Sequence, residues 1–187
     1  MRLPSVLVPG DLPLAELCAA RLDGELIAVD EGFLLADLPL GAAERAASLA
    51  ALLPRGVVAD RLSAAWVHGA LLVPPRMHSA AIDRRKRLRP PATTRLRCHE
   101  VLLGDGDVVV LSGTSVTTPV RTLIDLARTE EDPRTLRALS RASRTGLDRL
   151  LDRLASGPTI AGRRIVERRL RTALESAPPG DQPAFTR

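Results

Sequence analysis

Aromatic residues are nearly absent from this chain of 187 residues: it has no tyrosine, one tryptophan and two phenylalanines, 2% in all. A core must therefore be built mostly from Leu, Val and Ala, and the chain lacks the interleaved rings on which single-stranded bases stack. Cysteine is scarce too. Cys18 and Cys98 are too few for the disulfide framework of a small secreted scaffold. No run of 18 apolar residues occurs, and no basic start leads into a long apolar stretch. Neither a transmembrane helix nor a signal peptide is expected, and the expected location is the cytoplasm. Lysine is reduced to Lys86, so the positive charge is carried almost wholly by arginine. What remains is ordinary for a folded protein: 45% hydrophobic residues and a length that suits one moderate domain with a small appendage.

Charge is unevenly spread along the chain, whose net value is +5. Residues 1–60 carry four arginines against nine acids, whereas 61–187 carry 23 basic residues against 13 acids. The first segment should repel phosphate and the second should attract it. Two readings of the arginine excess stand side by side. It is either a selected basic face, or the composition of a GC-rich genome in which arginine replaces lysine everywhere.

The pattern along the chain is mixed. Prolines 4, 9 and 13 make the N-terminus loop-like, and "LAELCAARLDG" reads as a short helix stopped by Gly24. "ELIAVDEGFLLAD" reads as a hairpin turning at Asp30-Glu31-Gly32. "GAAERAASLAALLP" predicts a helix ended by Pro54, and Asp60 can N-cap a helix through "RLSAAWVHGALL". An extended "LVPPRMHSAAI" and a basic loop "DRRKRLRPP" follow. "TRLRCHEVLL" and "DVVVLSGTSVT" read as two strands, with the turn at 105–107 between them. From Thr118, read as an N-cap, four helices are expected. The first starts at Pro119, and its Val120, Leu123, Ile124 and Ala127 recur at helical spacing. The last, near 161–176, buries Val166, Leu170, Ala173 and Leu174 and turns Arg163, Arg164, Arg168, Arg169 and Arg171 outward. The expected class is α+β, with an abbreviated winged-helix-like unit over 1–40, an α+β domain over 41–177 and a disordered tail over 178–187.

Enzyme motifs find little support. There is no GxSxG elbow and no GxxxxGK[ST] phosphate loop. No acid stands two residues before Lys86, as an acid-x-Lys nuclease site needs, and the paired acids of "DGD" precede the "GTS" turn instead of following it. Cys98 and His99 are neighbours on a strand and point to opposite faces, and His68 and His78 lack metal-ligand spacing. No cofactor, metal or enzymatic activity is expected. The strongest positive feature is electrostatic. Arg76, Arg84, Arg85, Lys86, Arg87, Arg89, Arg95 and Arg97 face only Asp83 as an acid within the same stretch, a density suited to several phosphates at once.

Two motifs carry a resemblance. "RLSAAWVHG" at 61–69, followed by "TSVTTPVRTLIDLAR" at 114–128, resembles an actinobacterial family of AbiEi-type antitoxins of type IV toxin–antitoxin systems and related transcriptional regulators. The signature residues are Trp66, His68 and Gly69 in the first motif and Pro119, Arg121 and Asp125 in the second. The resemblance implies a winged-helix N-terminal domain on operator DNA, an α+β antitoxin domain, and functional pairing with a nucleotidyltransferase-like toxin. Many relatives append an endonuclease-like domain, and this chain is expected to be the short form without it. The chain departs from the family where the wing should be, since "AVDEGF" is acidic. Two classes of function therefore remain: a DNA-binding regulator or antitoxin, and a protein-interaction module that has lost DNA reading. Trp66, among Leu62, Ala65 and Val67, is expected to anchor the core.

Overall fold

The computed structural model describes residues 4–91, 93–129, 132–157 and 162–175, so the tail expected over 178–187 lies outside the described residues. The class is α+β: two antiparallel or mixed sheets with helices packed against them. In chain order the elements are β1 (Val6–Leu7), α1 (Leu14–Leu22), β2 (Leu26–Val29), β3 (Gly32–Leu35), α2 (Ala42–Ser48), β4 (Val57–Ala59) and α3 (Arg61–Val67). β5 (His78–Asp83), β6 (Leu96–Val101), β7 (Val108–Leu111) and β8 (Thr114–Thr117) follow. The chain continues with α4 (Pro119–Thr129), α5 (Pro133–Ser143), α6 (Leu147–Ser156) and α7 (Arg163–Glu175).

The N-terminal sheet has the order β1-β3-β2, all antiparallel. The expected loop at the N-terminus is thus partly a strand: Val6 and Leu7 bury their side chains and pair with Leu34 and Phe33. The second sheet has the order β6-β5-β4-β8-β7. Its short central strand β4 is buried throughout, with Val57 and Val58 in separate apolar clusters, as the alternation of a pleated strand requires.

Several local expectations are corrected here. The segment "DVVVLSGTSVT" is not one strand but the β7–β8 hairpin, which turns at Ser112 and Gly113, both at positive φ. The "DGD" turn does not join neighbouring strands. β6 and β7 lie on opposite edges of the sheet, and the turn sits on the connection that crosses between them. The helix expected up to Pro54 ends at Ser48, and tighter turns carry the chain on through Leu53. The helix expected up to about 145 ends at Ser143, where Arg144 takes a left-handed conformation. Thr118 stands at the N-cap position of α4, its carbonyl accepting the Thr122 amide, but its hydroxyl donates to the Gly106 carbonyl and bonds to no amide of the first turn among the described residues. By contrast, Asp132 accepts from the Arg134 amide and caps α5.

The core runs without a break between the two halves of the chain. Val6, Val29 and Leu34 from the first sheet pack in one cluster with Ala46, Leu49, Trp66, Val67 and Val116. A second cluster joins Ala65 of α3 to Leu123, Leu126, Leu139, Leu150 and Leu170 of the four C-terminal helices. Trp66 is 1% exposed. The Arg45 guanidinium lies 5.7 Å from its ring centroid and donates to the carbonyls of Trp66 and Leu71. With no carboxylate opposite, burial lowers the Arg45 pKa from its ordinary value. No described helix is long and apolar enough to cross a membrane.

His68 closes α3, and Gly69 at φ +83° lets the chain leave it. The His68 Nε2 lies 2.7 Å from the Thr117 carbonyl, which can only accept, so this nitrogen carries the proton. Burial lowers the His68 pKa below its ordinary 6.5, against a smaller opposing effect of that hydrogen bond. A depressed histidine pKa gives stability that is complete above the unfolded-state value and is lost as pH falls through the folded-state value. His68→Gln, which keeps a donor for Thr117, is therefore expected to flatten the decline in stability below pH 6.5. Urea unfolding of both proteins between pH 5 and 8 measures this, and parallel pH profiles would refute it.

Candidate nucleic-acid interface

The basic stretch is built around the end of β5. Asp83 closes that strand, and its carboxylate turns the chain: Asp83 Oδ1 accepts from the Arg85 amide at 3.1 Å, and the Lys86 amide donates to the Asp83 carbonyl at 2.7 Å. The Arg85 side chain folds back onto the same carboxylate at 2.7 Å and onto the Leu103 carbonyl. This partnership holds the Asp83 carboxyl below the usual carboxylate range and raises the Arg85 pKa. Leu88, half-buried against Val57, Ile82 and Leu96, pins the far side of the loop. The loop is therefore anchored at both ends, and Arg84, Lys86, Arg87 and Arg89 stand exposed on it.

The eight basic side chains singled out in the sequence thus divide. Arg85 is held by Asp83. Arg95 reaches across the molecule to the tip of the N-terminal hairpin, with Nη2 2.6 Å from Asp30 Oδ1 and Nε 2.8 Å from Glu31 Oε1. It also donates to the Arg76 carbonyl at 2.5 Å, and its two acidic partners raise its pKa. Six remain exposed without an acidic partner among the described residues: Arg76, Arg84, Lys86, Arg87, Arg89 and Arg97. Arg97 shares a face of β6 with His99 and Val101.

The hairpin tip has a second anchor, which the spacing of residues gave no means to find. Asp30 takes φ +50° and is almost fully buried at its side chain. Its Oδ2 lies 2.8 Å from His78 Nε2, off the line of the N–H. The other ring nitrogen of His78 is 3.0 Å from the Ser63 hydroxyl, which in turn accepts from the Ser79 amide. Ser63, His78 and Asp30 have the residue types of a hydrolytic triad, but His78 and Ser63 are 1% and 0% exposed, so no substrate can reach them. The trio fastens the acidic hairpin to the second sheet. The tip that a DNA-reading wing would extend outward is occupied within the molecule.

The second motif places Arg121 and Asp125 one helical turn apart, with Arg121 Nε 2.7 Å from Asp125 Oδ2. Arg121 also reaches Asp107 at 2.6 Å, and Asp107 holds Arg153 at 2.9 Å. Pro119 occupies the first position of α4. These signature residues tie the crossing connection to α4 and α6. Arg169, expected to face solvent, instead is half-buried and donates to the Ala127 carbonyl at the end of α4.

The family model of the AbiEi antitoxin C-terminal domain matches residues 57–176. Among solved structures, the RV2827C protein from Mycobacterium tuberculosis is similar at 16% identity, with a TM-score of 0.49 over 92% of this chain and 72% of that one. No curated protein matches.

Proposed function

Because the chain belongs to the AbiEi antitoxin family through the domain spanning 57–176, we propose that it is the antitoxin of a type IV toxin–antitoxin pair, that it binds duplex DNA of its own promoter, and that it is not an enzyme. Its functional partner is a nucleotidyltransferase-like toxin. The observation that carries the DNA reading is the anchored loop presenting Arg84, Lys86, Arg87 and Arg89 with no acidic partner among the described residues. Arg76 and Arg97 extend the surface. Contacts from such side chains go to phosphate and position the protein. The unit over 1–40 has one helix between strands and a sheet order of β1-β3-β2, the strand–helix–hairpin half of a winged helix. Its tip, Asp30 and Glu31, is held by Arg95 and His78. DNA contact therefore belongs to the loop of the 41–177 unit and not to the wing.

Fluorescence anisotropy against the upstream duplex and a scrambled duplex, over a salt series, tests this. Tighter binding to the upstream duplex is expected. Replacing Arg84, Lys86, Arg87 and Arg89 with alanine should weaken binding to both. It should also flatten the log–log salt slope by about 0.9 for each phosphate that is no longer neutralised. Unchanged affinity in the fourfold variant would sink the assignment.

One observation favours a second reading, a protein-interaction module. Helix α1 buries Leu17 alone and exposes Leu14, Cys18 and Leu22 at four-residue spacing. Ile27 of β2 is also exposed, and Glu16, Asp23 and Glu25 of the same segment have no basic partner among the described residues. Such an apolar stripe in an acidic segment suits a basic partner. Co-purification that depends on residues 1–60, with no duplex binding even at low salt, would favour this reading over the first.

A further inference from the structure

Both family motifs and strand β6 converge on a cavity of about 240 Å³ that lies apart from the basic loop. Its walls include Arg61 from the first motif, His99 from β6, Asp125 and Arg128 from the second motif, Thr129, and Gly162 at the start of α7. The polar groups of this cavity are not used up by one another. Asp125 gives Oδ2 to Arg121, while Oδ1 has only the Arg128 Nη1 near it, at 4.0 Å. The Asp125 side chain is 9% exposed, and its Oδ1, which still reaches solvent, has no donor within hydrogen-bond distance among the described residues. Arg61 reaches the carboxylate of Asp60 only at 3.9 Å. Asp60, 1% exposed, accepts from the Ser79 hydroxyl at 2.5 Å, and its Oδ2 lies 2.9 Å from His99 Nε2 without forming a hydrogen bond to it. Although Asp60 stands at the N-cap position of α3, its side chain does not cap that helix, contrary to the sequence expectation.

Two guanidiniums thus line one cavity with most of their donors uncommitted, at 35% and 42% side-chain exposure. Arg61 holds φ +47°, a left-handed conformation that costs energy in any residue bearing a Cβ. Gly162 has no side chain to cap α7, and its carbonyl takes the amides of Ile165 and Val166. The first turn of α7 therefore adds a partial positive charge to the same wall. Burial raises the Asp125 pKa from its ordinary value, against the opposing effect of the Arg121 guanidinium.

We propose that this cavity binds a small phosphomonoester carrying a free hydroxyl, with the phosphate between Arg61 and Arg128 and the hydroxyl on Asp125 Oδ1. The volume is below the roughly 300 Å³ at which pockets for drug-sized ligands begin, and it suits a sugar phosphate better than a larger molecule. The guanidinium fork matches phosphate geometry, and the lone carboxylate oxygen selects a ligand with a donor. The site stands independently of the DNA reading, because none of its side chains lies on the loop over 84–90.

The test is a titration of the isotopically labelled full chain with ribose 5-phosphate, followed by NMR, with inorganic phosphate and ribose as comparison probes. Saturable shifts at His99, Thr129 and Gly162 are expected with ribose 5-phosphate, weaker ones with inorganic phosphate, and none with ribose. Arg128→Ala should weaken ribose 5-phosphate binding about tenfold, the scale of one lost charged hydrogen bond. Changing Asp125 to Ala as well, which removes the acceptor, should leave inorganic phosphate and ribose 5-phosphate binding nearly equal. Should Arg128→Ala lose its folded spectrum, Arg128→Lys keeps the charge, loses the fork and should still weaken binding. No saturable shift in the unaltered protein overturns the proposal, as does undiminished binding in a folded Arg128 variant.

Discussion

Trp66→Ala is expected to lower the unfolding free energy by about 3–5 kcal/mol, the usual cost of truncating a large buried aromatic. In a chain of this length that corresponds to a melting temperature lower by about 6–20 °C. The size of the effect follows from what the indole touches. It sits at 1% exposure where the first sheet, α2 and α3 meet, in the cluster that also holds Val6, Leu34, Leu49 and Val116. It also has the Arg45 guanidinium near its face and the His78 ring at 6.2 Å. Without the ring, Arg45 keeps its two carbonyl acceptors but loses a cation–π partner in a site where burial already disfavours its charge. Few other side chains in this aromatic-poor chain have comparable volume, so the cavity has little with which to refill. Thermal unfolding followed by circular dichroism checks the prediction. A loss below about 1 kcal/mol would mean that the two halves do not depend on this indole.

The second large effect is expected at Asp107. Its carboxylate is 3% exposed and accepts from the Gly104 amide at 2.8 Å, Arg121 at 2.6 Å and Arg153 at 2.9 Å. Removing it as Asp107→Ala leaves two guanidiniums without their shared counter-charge. Breaking a buried ion pair from one side costs about 3–5 kcal/mol, and the partial exposure of both arginines places this case near the lower end. The crossing connection at 104–107 should then loosen from α4 and α6. Hydrogen exchange should show reduced protection at Thr118, whose amide donates to the Asp107 carbonyl, and along α6. Asp107→Asn, which keeps the acceptor for Gly104, should fall between the two. Equal stability of Asp107→Ala and the parent protein would show that Arg121 and Arg153 find water as good a partner.

Where sequence and structure agree, the information is local. The α4 stripe of Val120, Leu123, Ile124 and Ala127 needs only the helical period, and the Asp132-Pro133 cap needs only neighbouring atoms. The Asp30-Glu31-Gly32 turn was legible for the same reason. The β7–β8 hairpin was missed because a continuous β-branched run masks its turn, where Ser112 takes a φ that only glycine adopts freely. The candidate site was legible as a density of charge. Which arginines were spoken for was not, because Asp30 and Arg95 are separated by 65 positions in the chain.

The sequence by itself determined the α+β class, the absence of aromatic stacking platforms, the helices from 118 onward and the family. These follow from periodicity, composition and short motifs, all of which act through neighbours in the chain. Only the tertiary structure decided the rest: that the acidic hairpin closes on Arg95 and His78, that β6 and β7 take opposite edges, and that Arg61, His99 and Asp125 meet around one cavity. The reason is physical. A carboxylate is drawn to whichever donor the packed core brings near it, and chain separation does not enter that choice.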